Sequence, residues 1–121
     1  MTKILVIDDS AFFRKFIRES LEELGFEVED LLPVSPLDVT EKMKGWAPDL
    51  VLTDFNMPHV DGQQVARMAR RANPKVPVVV LTATRDEAMD RNLAKAGVTL
   101  ILHKPMTGVA IVKALQDLLA R

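Results

Sequence analysis

Ile4-Leu5-Val6-Ile7-Asp8-Asp9 is a continuously apolar run of branched residues closed by two carboxylates. A strand with one face in water alternates apolar and polar residues, whereas an unbroken run suits a strand covered on both faces, as in parallel sheets. Val78-Val79-Val80-Leu81 and Leu50-Val51-Leu52 repeat the pattern. The spacing predicts strands at Lys3–Ile7, Glu27–Leu32, Leu50–Thr53, Val78–Leu81 and Thr99–Leu102. Charges interrupt Glu27–Leu32, which marks it as an edge strand.

Helical periods fill the gaps. Phe12, Phe13, Phe16, Ile17, Leu21 and Leu24 recur at three- and four-residue steps, and Gly25 stands where a C-terminal cap belongs. Val65, Met68, Ala69 and Ala72 repeat likewise, as do Met89, Leu93 and Ala96, then Ile111, Val112, Leu115 and Leu118. Ser35-Pro36 with Asp38, and Thr84 with Glu87, read as helix starts of the capping-box kind, and Asp61-Gly62 as the cap and turn opening the third helix. Pro33 and Pro36 make a rigid entry expected to displace or shorten the second helix. Three aromatics on the first helix are hard to bury together, so one of them is expected partly exposed. Arg67, Arg70 and Arg71 are expected on a solvated face. The order is (βα)5, an α/β doubly wound parallel sheet with right-handed crossovers. No repeat or linker divides the chain, and residues 1–121 are expected to form a single domain.

Composition narrows the function classes. With 16 basic and 17 acidic residues the formal charge is −1, which gives no footprint for nucleic acid or a membrane surface. No cysteine is present, excluding disulfide and thiolate chemistry. The N-terminal apolar run is too short for a signal peptide or membrane span, so a cytoplasmic location is expected.

In open α/β sheets, ligands gather beyond the carboxyl ends of the strands. There the sequence places Asp8 and Asp9, then Asp54, Thr82, and His103 with Lys104. Crowded carboxylates repel, and a cation or a retained proton relieves them. Hard oxygen ligands without His or Cys favour Mg²⁺ over zinc, with Mn²⁺ able to substitute. A carboxylate can also attack phosphorus to give an aspartyl phosphate, helped by charge neutralisation and positioning. Lys104, the Thr82 hydroxyl and the metal could then each hold one phosphoryl oxygen.

The segments V-I-D-D-S-A-F-F-R (Val6–Arg14), P-D-L-V-L-T-D-F-N-M-P-H-V-D-G (Pro48–Gly62), V-V-V-L-T-A (Val78–Ala83) and H-K-P (His103–Pro105) closely resemble receiver domains of two-component response regulators, and the first looks closest to stand-alone chemotaxis-type regulators of the CheY kind. The similarity runs from Lys3 to about Leu119. It implies a five-stranded flavodoxin-like sheet of order 2-1-3-4-5. It implies that Asp54 is the phosphoacceptor, Asp9 a direct metal ligand, Asp8 a ligand acting largely through water, and Asn56 a backbone-carbonyl ligand whose side chain tunes dephosphorylation. Thr82 resembles the hydroxyl that moves onto the phosphoryl group, Ala83 offers a backbone N–H, Lys104 matches the phosphate lysine, and Pro105 the cis proline.

The implied partners are a histidine kinase or phosphotransfer protein and an output partner, with a phosphorylation-dependent dimer through the last two helices where an output is attached. The domain would catalyse only its own phosphorylation and dephosphorylation. One departure bears on the switch: the family's aromatic three residues before the lysine is here Ile101, stiff and ringless, so a switch would run through Thr82, Thr84–Arg85 and the following helix. Two rival readings are an aspartyl-phosphate phosphatase, which normally places a second Asp where Asn56 stands, and a constitutive receiver-like interaction module. His59 is expected exposed, and His103 structural.

Overall fold

A computed structural model describes residues Met1–Arg121. The elements are β1 (Lys3–Ile7), α1 (Ala11–Glu23), β2 (Glu27–Leu31), α2 (Pro36–Trp46), β3 (Leu50–Asp54), α3 (Gly62–Ala72), β4 (Val78–Thr82), α4 (Glu87–Lys95), β5 (Leu100–His103) and α5 (Gly108–Leu119). The five strands pair in parallel in the order β2-β1-β3-β4-β5, so the charge-interrupted β2 is an edge strand. The unbroken apolar runs account for this arrangement. In β1, Leu5 and Ile7 enter one core with Val51, Val78 and Val80, while Ile4 and Val6 enter a second with Leu50, Leu52, Val79 and Leu81. The first core lies under α2, α3 and α4, the second under α1 and α5.

Helix starts follow local chemistry, with one correction. At the start of α2 the Asp38 carboxylate accepts from the Val34 and Ser35 N–H groups at 2.8 and 3.2 Å, while Asp61 and Gln64 form the full capping box of α3. At α4 the cap is Asp86, whose carboxylate accepts from the Ala88 N–H at 2.9 Å, and not Thr84. The acid sits immediately before the helix, whereas Thr84 uses its own N–H to bind the Thr82 hydroxyl at 3.1 Å. The prolines do not shorten α2: with Pro36 at its first turn, where no N–H is required, it has 11 residues, as many as α3. Two aromatics of α1 are exposed instead of one, Phe12 and Phe16, and only Phe13 packs on the core. Arg70 is half-buried and donates to the Val76 carbonyl at 3.3 Å, so the arginine face is not wholly solvated. Thr99 lies just outside β5, and Asp54, Thr82 and His103 are the last residues of their strands.

The turn from β3 into α3 depends on Gly62. A Cβ there would lie 3.0 Å from Phe55 Cα and 3.2 Å from the Asp54 carbonyl oxygen, both backbone atoms that cannot swing away. Its N–H donates to the Phe55 carbonyl at 2.9 Å, holding the loop after Asp54 against the sheet end. Gly62→Ala is expected to lower stability by about 1–3 kcal/mol through overpacking, read as a lower urea midpoint with an unchanged slope.

Candidate functional site

Each strand end supplies one part. Asp8 follows β1, with its N–H donating to the Leu31 carbonyl at 3.3 Å. Its carboxylate Oδ1 accepts from the Ser10 N–H at 2.8 Å, and its carbonyl from Arg14 Nη1 at 2.6 Å. Ser10 is also the cap of α1, accepting from the Phe13 N–H at 3.2 Å. Arg14 Nε reaches Asp30 on β2 at 2.9 Å. The start of α1 and the end of β2 thus clamp the Asp8–Asp9 turn.

Asp54 ends β3 and is 8% exposed. Its Oδ1 accepts from the Phe55 N–H and from Lys104 Nζ, each at 3.0 Å, while Oδ2 takes no hydrogen bond from the protein. Thr82 ends β4, 1% exposed, and its carbonyl accepts from the Lys104 N–H at 2.8 Å. That bond sets Lys104 at the end of β5 so that its ammonium reaches across to Asp54. The Lys104–Pro105 peptide is cis. Asn56 and Ala83 are exposed at the ends of their strands, and His59 is exposed on the loop. Ile101 is half-buried beside the α3–α4 core, paired in register with Val80. His103 pairs in register with Thr82 and places Nε2 3.9 Å from Asp90 Oδ2 on α4, outside the cluster.

Carboxylate oxygens of Asp8, Asp9 and Asp54 all lie within 4.8 Å of one another. Burial pushes the Asp8 carboxyl up to about 6 from 3.8; the Ser10 N–H opposes this, the Asp54 charge adds to it, Lys104 opposes it, and Asp9 adds a little. One ammonium, bonded to one of three carboxylates, leaves the group short of positive charge. Three hard oxygen donors with no His or Cys among them suit Mg²⁺. Ser10, Arg14 and Asp30 escaped the sequence reading as parts of the site. Ser10 carried a usable signal as a cap residue, while the Arg14–Asp30 contact spans sixteen positions and no local spacing announces it.

The profile of the response regulator receiver domain matches residues 4–116. The chain is 32% identical to the chemotaxis protein CheY1 of Helicobacter pylori, covering 97% of this chain and 96% of that one. It is 36% identical to the response regulator MprA of a Mycobacterium species over 98% of its own length but only 48% of MprA. Among solved structures, the beryllofluoride-activated receiver domain of DrrB superposes with a TM-score of 0.84 at 26% identity, covering 100% of this chain and 99% of that one. The chain belongs to the response regulator receiver domain family. No helix is long and apolar enough to cross a membrane.

The raised Asp8 pKa has a thermodynamic sign. Below pH 3.8 the carboxyl is protonated in both states and contributes nothing. Between pH 3.8 and about 6 the unfolded chain gives up its proton first, so this group's contribution falls as pH rises, and above about 6 the full penalty, on the order of 2–3 kcal/mol, is present. Asp8→Asn is therefore expected to stabilise the metal-free protein by about 1–3 kcal/mol at pH 7.5 and to have little effect near pH 4. Thermal melts across that range, with and without Mg²⁺, check this, and Mg²⁺ should raise the wild-type midpoint more than the variant's.

Proposed function

We propose that residues 1–121 act as a single phosphoacceptor domain in which Asp54 takes a phosphoryl group from a histidine kinase or phosphotransfer protein. The observation that carries this is the placing of Asp54: buried among two further carboxylates, with one oxygen held by Lys104 and Phe55 and the other free of protein hydrogen bonds. A carboxylate so oriented can present Oδ2 to phosphorus. As the Asp54 O–P bond forms, the P–N bond of a donor phosphohistidine breaks, and the departing imidazole nitrogen takes up a proton. Lys104, the Thr82 hydroxyl and the Ala83 N–H would then hold the phosphoryl oxygens, a stabilisation that is electrostatic.

Asp8, Asp9, Asp54 and the Asn56 carbonyl would hold Mg²⁺ (Mn²⁺ substituting), which supplies charge neutralisation. Hydrolysis of the acyl phosphate returns Asp54 to its carboxylate, and the side chain of Asn56, which is exposed, would tune its rate. Asn56 has no acidic proton with which to serve as a general acid, which disfavours turnover of an external phosphate ester. The exposed segment Ala83–Asp86 and α4 would carry the change in partner binding, in a cytoplasmic setting.

Incubation with acetyl phosphate and Mg²⁺ should add one phosphoryl group, seen by intact-protein mass spectrometry, and beryllofluoride should perturb the NMR signals around Asp54. Asp54→Asn and chelation by EDTA should each abolish the adduct, and Lys104→Ala should slow its formation by roughly 10²-fold or more. An adduct undiminished in Asp54→Asn overturns the assignment.

A further inference from the structure

Four large apolar side chains stand exposed on the α1–α5 side of the molecule: Phe12, at 82%, Phe16, Leu24 and Val109. The Phe16 ring lies across Gly108 so closely that a Cβ there would have to push the ring aside, and a groove of about 400 Å³ runs between the two helices, walled by Phe16, Leu24, Val109 and Val112. Ile17, Leu21 and Phe13 do the core packing of α1, so Phe12, Phe16, Leu24 and Val109 are left outside the core. Exposed apolar patches of this kind mark interaction surfaces.

Charge along α1 says what covers it. Phe12, Lys15, Glu19 and Glu22 follow one another on a single stripe at three- and four-residue steps. Arg14 turns to β2 and binds Asp30, while half-exposed Arg18 reaches both Asp30 at 2.9 Å and Glu22 of its own helix at 3.5 Å. The outward charge is thus segregated, with Lys15 towards the start and Glu19, Glu22 and Glu23 towards the end, and the Lys15–Glu19 pair within one helix is only a loose 4.0 Å contact. A helix with this polarity complements itself in the antiparallel sense. A two-fold axis near residue 17 sets Lys15 of each copy against Glu19 of the other. Helical side chains lean towards the N-terminus, so each Phe12 would reach past Glu22 of the second copy to its Leu24, at the end of the groove. Every such contact forms twice, as an isologous interface requires.

We propose that the α1 face, flanked by the α1–α5 groove, docks a second copy of this chain with the two α1 helices antiparallel. The area sets the strength. Helices of 13 and 12 residues are about 20 Å long and pack about 9 Å apart, so each copy offers roughly 500 Å². A stable pair needs about 800 Å² a side, which puts this one in the weak, reversible class, with a dissociation constant on the order of tens to hundreds of micromolar.

Sedimentation equilibrium of the 121-residue chain from roughly 5 to 500 μM tests this. The expected result is a reversible monomer–dimer equilibrium, abolished by Phe12→Glu and weakened tenfold or more by Lys15→Glu or Glu19→Lys alone. The double exchange Lys15→Glu/Glu19→Lys should restore it, because opposite charges then face each other again. A wild-type chain that stays monomeric throughout overturns the proposal and leaves the face to a different protein; a dimer indifferent to these substitutions, or not restored by the double exchange, overturns it equally. Unchanged circular dichroism of each variant confirms that only association is being read.

Discussion

Strands β1, β3 and β4 are buried on both faces, and from this constraint the rest of the molecule follows. A sheet between two apolar layers has no solvated face on which to carry a polar side chain. The buried polar side chains are Asp8, Thr53, Asp54 and Thr82, and all four belong to the carboxyl ends of those three strands. Thr53 is satisfied locally, its hydroxyl donating to the Asp54 carbonyl at 2.9 Å. The remaining three are the polar groups the fold withholds from water and gathers at one edge. The chemistry is concentrated there because nowhere else in the sheet could hold it.

Gathering them carries an electrostatic penalty that the protein only partly offsets. Lys104 binds Asp54 and not Asp8, and Asp8 has the Ser10 N–H as its protein donor. A second ammonium would quiet the repulsion, but it would also fill the space between the carboxylates. The shortage of positive charge is thus the condition for admitting a dication, and cation binding and folding stability are coupled through the same three side chains. The clamp of Ser10, Arg14 and Asp30 fits this picture. It keeps the Asp8–Asp9 turn from relaxing outward, which would lower the repulsion and dissolve the site.

Much of this was legible in the sequence, for identifiable reasons. Five strands, their parallel sense and the edge position of β2 followed from run length and the charges in Glu27–Leu32, because burial on two faces writes itself directly into composition. Asp8, Asp9, Asp54, Thr82 and Lys104 followed from where strands end. What failed was local or non-local in the wrong measure. Thr84 and Asp86 are both sound caps two residues apart, and only the path of the chain out of β4 selects Asp86. Two prolines suggested a truncated α2, but Pro36 occupies the first turn, where a proline is harmless. Arg70 looked like surface charge, yet it packs under Gly97 and reaches a loop carbonyl, contacts no periodicity encodes.

Ile101 bears on how an event at Asp54 would travel under the proposed function. Ile101 is held in the α3–α4 core with a restricted first torsion, so it offers no swinging group. The Thr82 hydroxyl is tied to the next loop by one bond, from the Thr84 N–H. On the proposed reading, a hydroxyl that turns to a phosphoryl oxygen at Asp54 gives up that bond and frees the backbone from Ala83 to Asp86, all of it exposed. Beyond it, α4 is 9 residues long and buries only Leu93, so it is the helix whose position is least determined by the core. A side-chain rotor is then unnecessary. On that reading, release of one hydrogen bond at the end of β4 would act on a lightly anchored helix and bias its position, with a stiff Ile101 as a fixed floor beneath it.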